Sequence, residues 1–296
     1  MTGVRSRQEK VFEAMAHAVL ILLTVLAVAP FLLMLSGSLT DNATLTRYGY
    51  QFWPKVFSME AYEYIIREWA QIGNAYFITI AVTAAGTVLS LFLVSTASFA
   101  LSQKEVPGLN VVFVLILITL LFNGGAVSSY IIYTNLFHIK NTIWALLIPN
   151  LMLNGFNLIL VRNYMMHSIP EELQSAAEID GAGVFKIYLK IILPLSKPIM
   201  ATVGLLTALG YWNDWTNGLY FITDSNLYSV QLLLNKMNEN IQYLASHSEL
   251  GAVQQSLPGT SIRMAIAVVG ILPVLIIYPF FQKYFAQGIT MGAVKG

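Results

Sequence analysis

Apolar residues along this chain gather into runs of about 20, the length a helix needs to cross a bilayer. The first run extends from about Ala16 to Leu35, the second from about Ala75 to Leu101 and the third from about Leu109 to Thr134. A fourth covers about Thr142 to Val161, a fifth about Pro198 to Trp215 and a sixth about Ile262 to Phe281. Unpaired backbone groups cannot be left in hydrocarbon, so every crossing is predicted to be helical. The expected fold class is therefore all-α, a polytopic membrane protein with six transmembrane helices. No polar stretch is long and mixed enough to build a separate core, so one membrane domain is expected over residues 1–296.

Three of the stretches between the runs are long and polar. Two, about 37–73 and 217–261, fall on one side of the membrane. In the first, "MEAYEYIIREWA" places Tyr62, Ile65, Ile66 and Trp69 at helical spacing, the pattern of a helix lying on the membrane surface. The second contains "SVQLLLNKMNENIQYLA", which suits one or two short helices. The third stretch, about 162–197, lies on the other side. There "SIPEELQSAAEI" reads as a helix start, with Ser168 as N-cap and Pro170, Glu171 and Glu172 in the first turn, where the helix dipole favours acids. Ile169, Leu173, Ala176 and Ala177 share one face, and Glu171, Gln174, Ser175 and Glu178 share another. Gly181 and Gly183 break the helix. A second apolar face, Phe185, Tyr188, Leu189 and Ile192, then leads through Pro194 and Pro198 into the fifth run. On physical grounds this helix-turn-helix is either an amphipathic connector or, given the small residues Ala176, Ala177, Gly181, Ala182 and Gly183, an insert for a groove on a partner protein.

Composition sharpens the membrane reading, because only 10% of residues are charged, against about 25% in an ordinary soluble domain. With the N-terminus inside, the cytoplasmic segments hold Arg5, Arg7, Lys10, Lys104, Arg162, Lys186, Lys190, Lys197, Lys283 and Lys295. The outer segments hold Arg47, Lys55, Arg67, Lys140, Lys236 and Arg263, so both termini are expected in the cytoplasm. Trp53, Trp69, Trp144, Trp212 and Trp215 stand near span ends, where aromatic rings seat at the headgroups. The basic start and Ala27-Val28-Ala29 also fit a cleaved signal, but Pro30 after the cut and the run's continuation to Leu35 favour an uncleaved first span. A net charge of +1 from scattered cations argues against a nucleic-acid partner. Without cysteine there is no disulfide or thiolate site. His17, His138, His167 and His247 lack metal-ligand spacing, and no G-x-x-x-x-G-K-[ST] is present to cradle ATP phosphates.

"ELQSAAEIDGAGVFKIYLKIILP" resembles the signature loop of permease subunits in binding-protein-dependent ABC importers: E-A-A, three residues, G, and later I-x-L-P. Ala176, Ala177, Asp180, Gly181, Ala182, Ile191, Leu193 and Pro194 match, while Ser175 stands where the family usually has Glu. "FNGGAVSSYIIYTNLFHIKNTIWALLIP" resembles the third-to-fourth span region of carbohydrate-importer permeases such as those of maltose importers, with Ala126 to Ser129 departing from L-I-P-T. "FFQKYFAQGITMGAVKG" is similar to their C-terminal tail. "YGYQFWPKVFSMEAYEYI" resembles the subgroup associated with polysaccharide-derived oligosaccharides, such as oligogalacturonides or alginate fragments.

The resemblance implies a non-catalytic type I importer permease in a bacterial plasma (inner) membrane, moving oligosaccharide by alternating access. Its implied partners are a second permease subunit, two cytoplasmic ATPase subunits, an extracytoplasmic solute-binding protein, the oligosaccharide and membrane lipid. It implies no cofactor on this chain, with ATP and Mg held by the ATPase. Glu172, Leu173, Ser175, Ala176, Ala177, Asp180, Gly181, Ala182 and Phe185 would form the ATPase-docking coupling segment.

Polar residues in the spans leave two readings open. Asn150, Asn154 and Asn157 are spaced to share one helical side, either lining a sugar path or tying helices together. In "GYWNDWTNG", Tyr211, Trp212, Asn213, Asp214 and Trp215 either contact sugar or form an aromatic belt with a solvated acid. Ala81, Ala84, Ala85, Gly86, Ser90, Ser95, Ala97 and Ser98 favour close helix packing, and Pro273 and Pro279 should kink the sixth span. An ion-coupled carrier would need ionisable residues in the spans, which are nearly free of them, and a membrane enzyme would need a catalytic constellation that is not visible. A type I permease for another solute class is the remaining alternative.

Overall fold

The computed structural model describes residues 7–103, 106–246 and 259–293. Arg5, Lys104 and Lys295, and residues 247–258 of the second outer stretch, lie outside the described residues. Helices dominate, and the one β feature among the described residues is an isolated Thr40–Phe57 bridge. In chain order the helices are α1 (Arg7–Ser38), α2 (Asn42–Tyr48), α3 (Glu60–Arg67), α4 (Trp69–Ser102), α5 (Leu109–Leu121), α6 (Gly125–Ile131), α7 (Trp144–Leu147) and α8 (Gly155–His167). They continue as α9 (Glu171–Ile179), α10 (Val184–Ile187), α11 (Leu193–Leu195), α12 (Lys197–Trp212), α13 (Thr216–Phe221), α14 (Val230–Ser246) and α15 (Thr260–Ala293).

Lys10–Ser38, Trp69–Ser102 and Thr260–Pro279 are each long and apolar enough to cross a membrane. Two further apolar pairs are sharply bent: Leu109–Leu121 with Gly125–Leu136 by 119°, and Val184–Leu195 with Lys197–Trp212 by 76°. These elements are consistent with six spans, but the third and fourth runs are not the continuous helices their hydropathy predicts. The third folds back where Asn123 Oδ1 accepts the Gly125 amide at 2.8 Å and Gly125 takes φ +83°. The fourth breaks between α7 and α8, where Pro149 supplies no amide and Asn150 adopts φ +62°. By contrast, α15 runs through both of its prolines as one helix.

The chain clusters into two compact units, residues 1–70 with 237–272 and residues 71–236 with 273–296. In the first, α1 exposes Leu20, Ile21, Leu22 and Leu26, an apolar surface suited to lipid. Asp41 caps α2 by accepting the Thr44 amide at 2.9 Å. α3 forms where its spacing predicts, but its buried positions are Ala61 and Ile65, while Ile66 and Trp69 stay outside. Tyr62 is held by a 2.8 Å hydrogen bond with the Ser38 hydroxyl, which fixes the rotation of α3. "SVQLLLNKMNENIQYLA" contributes to one 17-residue helix, α14, and not two.

The second unit has two apolar clusters. One gathers Val94, Phe99 and Leu101 from α4, Leu158, Val161 and Met165 from α8, and Ile169, Ile187, Tyr188 and Ile192 from the chain that follows. The other surrounds Val82, Leu146, Tyr211, Phe221 and Leu232. Here the small residues of α4 have a specific use, because a Cβ at Gly86 would collide with the Tyr211 ring. The Tyr211 hydroxyl donates to the Leu147 carbonyl at 2.8 Å, so the ring cannot swing away without losing that bond. Gly86→Val is expected to cost about 1–3 kcal/mol through overpacking. The check is a lower melting temperature of the purified protein, with Ala84→Val, at an exposed position, as the unaffected comparison.

Candidate functional site: a protruding turn and an uncharged cavity

The 162–197 segment is built around a tight reversal. Ser168 does not cap α9. Its amide donates to the Tyr164 carbonyl at 2.9 Å and closes α8, whereas Pro170, with φ −60° and ψ 131°, precedes the first residue of α9. Between the two helices Ile169 is buried in the cluster below, and Pro170 after it disfavours helical backbone at that point. Glu171 and Glu172 occupy the first turn of α9. At the other end the Ala182 amide donates to Ala177 O and the Gly181 amide to Glu178 O, both at 2.9 Å. These are the two bonds of a Schellman cap, and they require the left-handed φ of +76° that Gly181 adopts. Ala177 and Ala182, which this cap brings together, both pack on the apolar cluster.

The expected apolar faces are divided by this geometry. Ile169 and Ala177 face the cluster, but Leu173 and Ala176 are exposed. After the turn, Tyr188 and Ile192 are buried while Phe185 and Leu189 point out. A π-helical turn occupies Tyr188–Ile192, after the exposed Phe185. The segment carries an apolar tip. Ile179 is 87% exposed and Phe185 83%, with Val184 beside them and Gly181, Ala182 and Gly183 between. Exposed apolar side chains grouped in so short a segment suit an interaction surface. Glu172, Ser175 and Asp180 are exposed on the same segment. A small polar cleft of about 100 Å³ lies beside α9, lined by Ser102, Gln103, Gln174, Ser175 and Glu178 among others.

The second feature is a cavity of about 260 Å³, lined by Asn123, Gly125, Ala126, Ser129, Tyr133, Pro149, Asn150, Thr216, Asn217, Tyr220 and Phe221. Every side chain in that lining is uncharged. Tyr133 meets Phe221 edge-on at 5.8 Å, and Asn217 Nδ2 donates to the Pro149 carbonyl at 3.0 Å, tying α13 to the break in the fourth run. Of the residues singled out for a path through the spans, Asn150 alone reaches this cavity. Asn154 instead caps α8 by accepting the Asn157 amide at 3.1 Å, and Asn157 Nδ2 donates to the Thr207 hydroxyl at 3.2 Å, tying α8 to α12. The helical spacing of the three amides fails because Asn150 and Asn154 lie outside any helix.

The "GYWNDWTNG" residues have partners within the chain. Tyr211 and Trp212 are buried, and Asn213 Nδ2 donates to Leu209 O at 2.9 Å. Asp214 Oδ1 accepts the Thr216 and Asn217 amides at 3.0 and 3.2 Å, which starts α13 and presents Thr216, Asn217, Tyr220 and Phe221 to the cavity. Asn123, Ser129, Tyr133, Asn217 and Tyr220 were not singled out from sequence. Their signal was the Asn123-Gly124-Gly125 breaker, which turns the chain back inside an apolar run.

The family described as "Binding-protein-dependent transport system inner membrane component" matches residues 78–291. The chain is 34% identical to Protein LplC of Bacillus subtilis (strain 168) over 272 residues, 92% of this chain and 90% of that protein. It is 32% identical to the polygalacturonan/rhamnogalacturonan transport system permease protein YtcP of the same organism, covering 98% of this chain and 100% of that protein. Among solved structures it superposes with TM-score 0.80 and 29% identity on a chain of a bacterial ABC transporter involved in the import of the acidic polysaccharide alginate, covering 96% of this chain and 100% of that one.

Proposed function

Because the chain belongs to the family of binding-protein-dependent transport system inner membrane components, we propose that it is the transmembrane half of an ATP-driven importer for acidic oligosaccharides cut from polysaccharides. The observation that carries the reading is the exposed tip of Ile179, Val184 and Phe185, held on a Schellman turn and anchored from below by Ile169, Ile187 and Tyr188. In this reading the tip and its neighbours Glu172, Leu173, Ser175, Ala176, Ala177, Asp180, Gly181 and Ala182 dock an ATPase subunit in the cytoplasm. A second permease subunit, a second ATPase copy and an extracytoplasmic solute-binding protein complete the assembly, and both termini of this chain face the cytoplasm. The chain works as one permease domain and binds no cofactor, ATP and Mg belonging to the ATPase.

The acidic substrate class is supported by two relatives, one named for polygalacturonan and rhamnogalacturonan and one for alginate. The cavity fits sugar through aromatic faces and amides: Tyr133 and Tyr220 offer rings, while Asn123, Asn150 and Asn217 offer amides to hydroxyls. With no charge in its wall, it reads hydroxyls and leaves the carboxylates to the binding protein.

The test is ATP hydrolysis by the assembled complex in nanodiscs with the binding protein loaded in turn with oligogalacturonides, alginate oligomers or neutral xylo-oligosaccharides. Acidic oligomers are expected to stimulate hydrolysis; stimulation by the neutral set alone would overturn the substrate class. Tyr220→Ala is expected to raise the half-saturating concentration of loaded binding protein for uptake about threefold to tenfold, the value of one aromatic contact. Measured uptake against that concentration checks it.

A further inference from the structure

The C-terminal third of α4 is held by directional bonds on one side. Ser95 Oγ and the Tyr188 hydroxyl share a hydrogen bond at 2.8 Å, Ser98 Oγ donates to Leu158 O at 2.9 Å, and Leu101 O accepts from Arg162 Nε at 2.8 Å. Positions 95, 98 and 101 follow at intervals of three and share a helix face. Their partners come from both arms of the protruding turn: Leu158 and Arg162 lie before it on α8, and Tyr188 lies after it as the first residue of the π turn.

Two properties set these bonds apart from the packing around them. Ser95, Ser98 and Tyr188 are buried, so no water replaces a bond that is lost. The surrounding contacts, through Phe99, Val161, Met165 and Ile187, are apolar. Apolar contact is non-directional and lets packed helices slide, whereas a hydrogen bond fixes distance and angle. Arg162 extends the grip to α5, because its guanidinium lies 4.1 Å from the Phe113 ring centroid. Its bond to Leu101 O also places a cation at the negative end of the α4 dipole.

We infer that these bonds make α4 the element driven by the protruding turn, with Arg162 and Tyr188 as positioning residues that pass its displacement into the second span. The inference rests on the reading that the turn docks an ATPase. Displacement of the tip moves both arms, and each arm is bonded to the same side of α4. Coupling between sites ordinarily amounts to about 5- to 150-fold in an equilibrium, and one hydrogen bond biases an equilibrium about twofold to tenfold, so a few such bonds are of the right size.

The test uses the whole complex in proteoliposomes and reads oligogalacturonide moved per ATP hydrolysed. Tyr188→Phe removes one hydroxyl and keeps the ring against Phe99, 5.1 Å away between centroids. It should lower transport per ATP about threefold to tenfold while hydrolysis continues and the ATPase co-purifies. Ser95→Ala should do the same, although it also removes the 3.1 Å bond that Ser95 Oγ donates to the Phe92 carbonyl within α4, and the double variant should be no worse than Ser95→Ala alone, since the bond to Tyr188 is lost in both. Arg162→Gln should give a similar fall, partly rescued by Arg162→Lys, whose ammonium can still meet the helix end. Unchanged transport per ATP in Tyr188→Phe and Arg162→Gln overturns the inference, as does a fall in uptake that only tracks loss of assembled complex. Phe185→Asp, run in parallel, separates the two readings. If it leaves ATPase association intact the docking reading fails, whatever the Tyr188 and Arg162 variants show.

Discussion

Phe185→Asp is expected to detach the ATPase and reduce uptake by at least 100-fold while leaving the permease folded and in the membrane. Phe185 is 83% exposed, so its ring contributes little to the packing of this chain. Burial in a partner's groove is worth about 1.5–3 kcal/mol for such a side chain, and central interface residues often exceed 2 kcal/mol. Aspartate forfeits that gain and adds the cost of desolvating a charge, several kcal/mol if no cation meets it. Phe185→Leu keeps most of the apolar surface and should retain most activity. Co-purification of the ATPase subunit checks both variants, with membrane yield and melting temperature showing that the permease itself is intact.

Gly181→Val is expected to reduce substrate-stimulated ATP hydrolysis about tenfold or more, through backbone strain and not through collision. No atom lies within 4 Å of the position a Cβ would take, so space is not the constraint. The constraint is φ +76°, which costs an L-residue about 1–2 kcal/mol and more when β-branched. Relief of that strain breaks the Schellman bonds and swings Val184 and Phe185 away from Ile179. Asparagine tolerates the left-handed region, so Gly181→Asn should stay within about twofold of the parent. Hydrolysis measured across Gly, Asn, Ala and Val should therefore fall in that order; equal loss for all three substitutions would point to an obstructed partner instead.

The membrane architecture and this turn were legible in the sequence for one physical reason. Apolar run length and the Gly181 break are local properties, and neither depends on what the chain meets elsewhere. Family membership was legible for the same reason, since the Ala176–Gly181 spacing and Leu193-Pro194 lie within one segment. The cavity was not. Averaging hydropathy over a span hides Asn123-Gly124-Gly125 and Pro149-Asn150, although these few residues reverse or break the chain and create the wall. Tyr211 and Trp212 were readable as sugar contacts or as a belt, and neither reading foresaw their burial. Tyr211 enters the core because Gly86 leaves room for its ring and Leu147 accepts its hydroxyl, and both partners are distant in sequence. Ser168 misled for a smaller reason, because an N-cap residue type can equally end the preceding helix when Ile169 is pulled into the core.

Uptake of labelled oligogalacturonide into proteoliposomes holding the full complex separates an ATP-driven permease from a gradient-driven carrier. With binding protein outside, ATP trapped inside and no proton or sodium gradient, the labelled sugar should accumulate, and Phe185→Asp should abolish the accumulation. Accumulation that needs an ion gradient, proceeds without ATP and survives Phe185→Asp would contradict ATP-coupled import through the 162–197 segment.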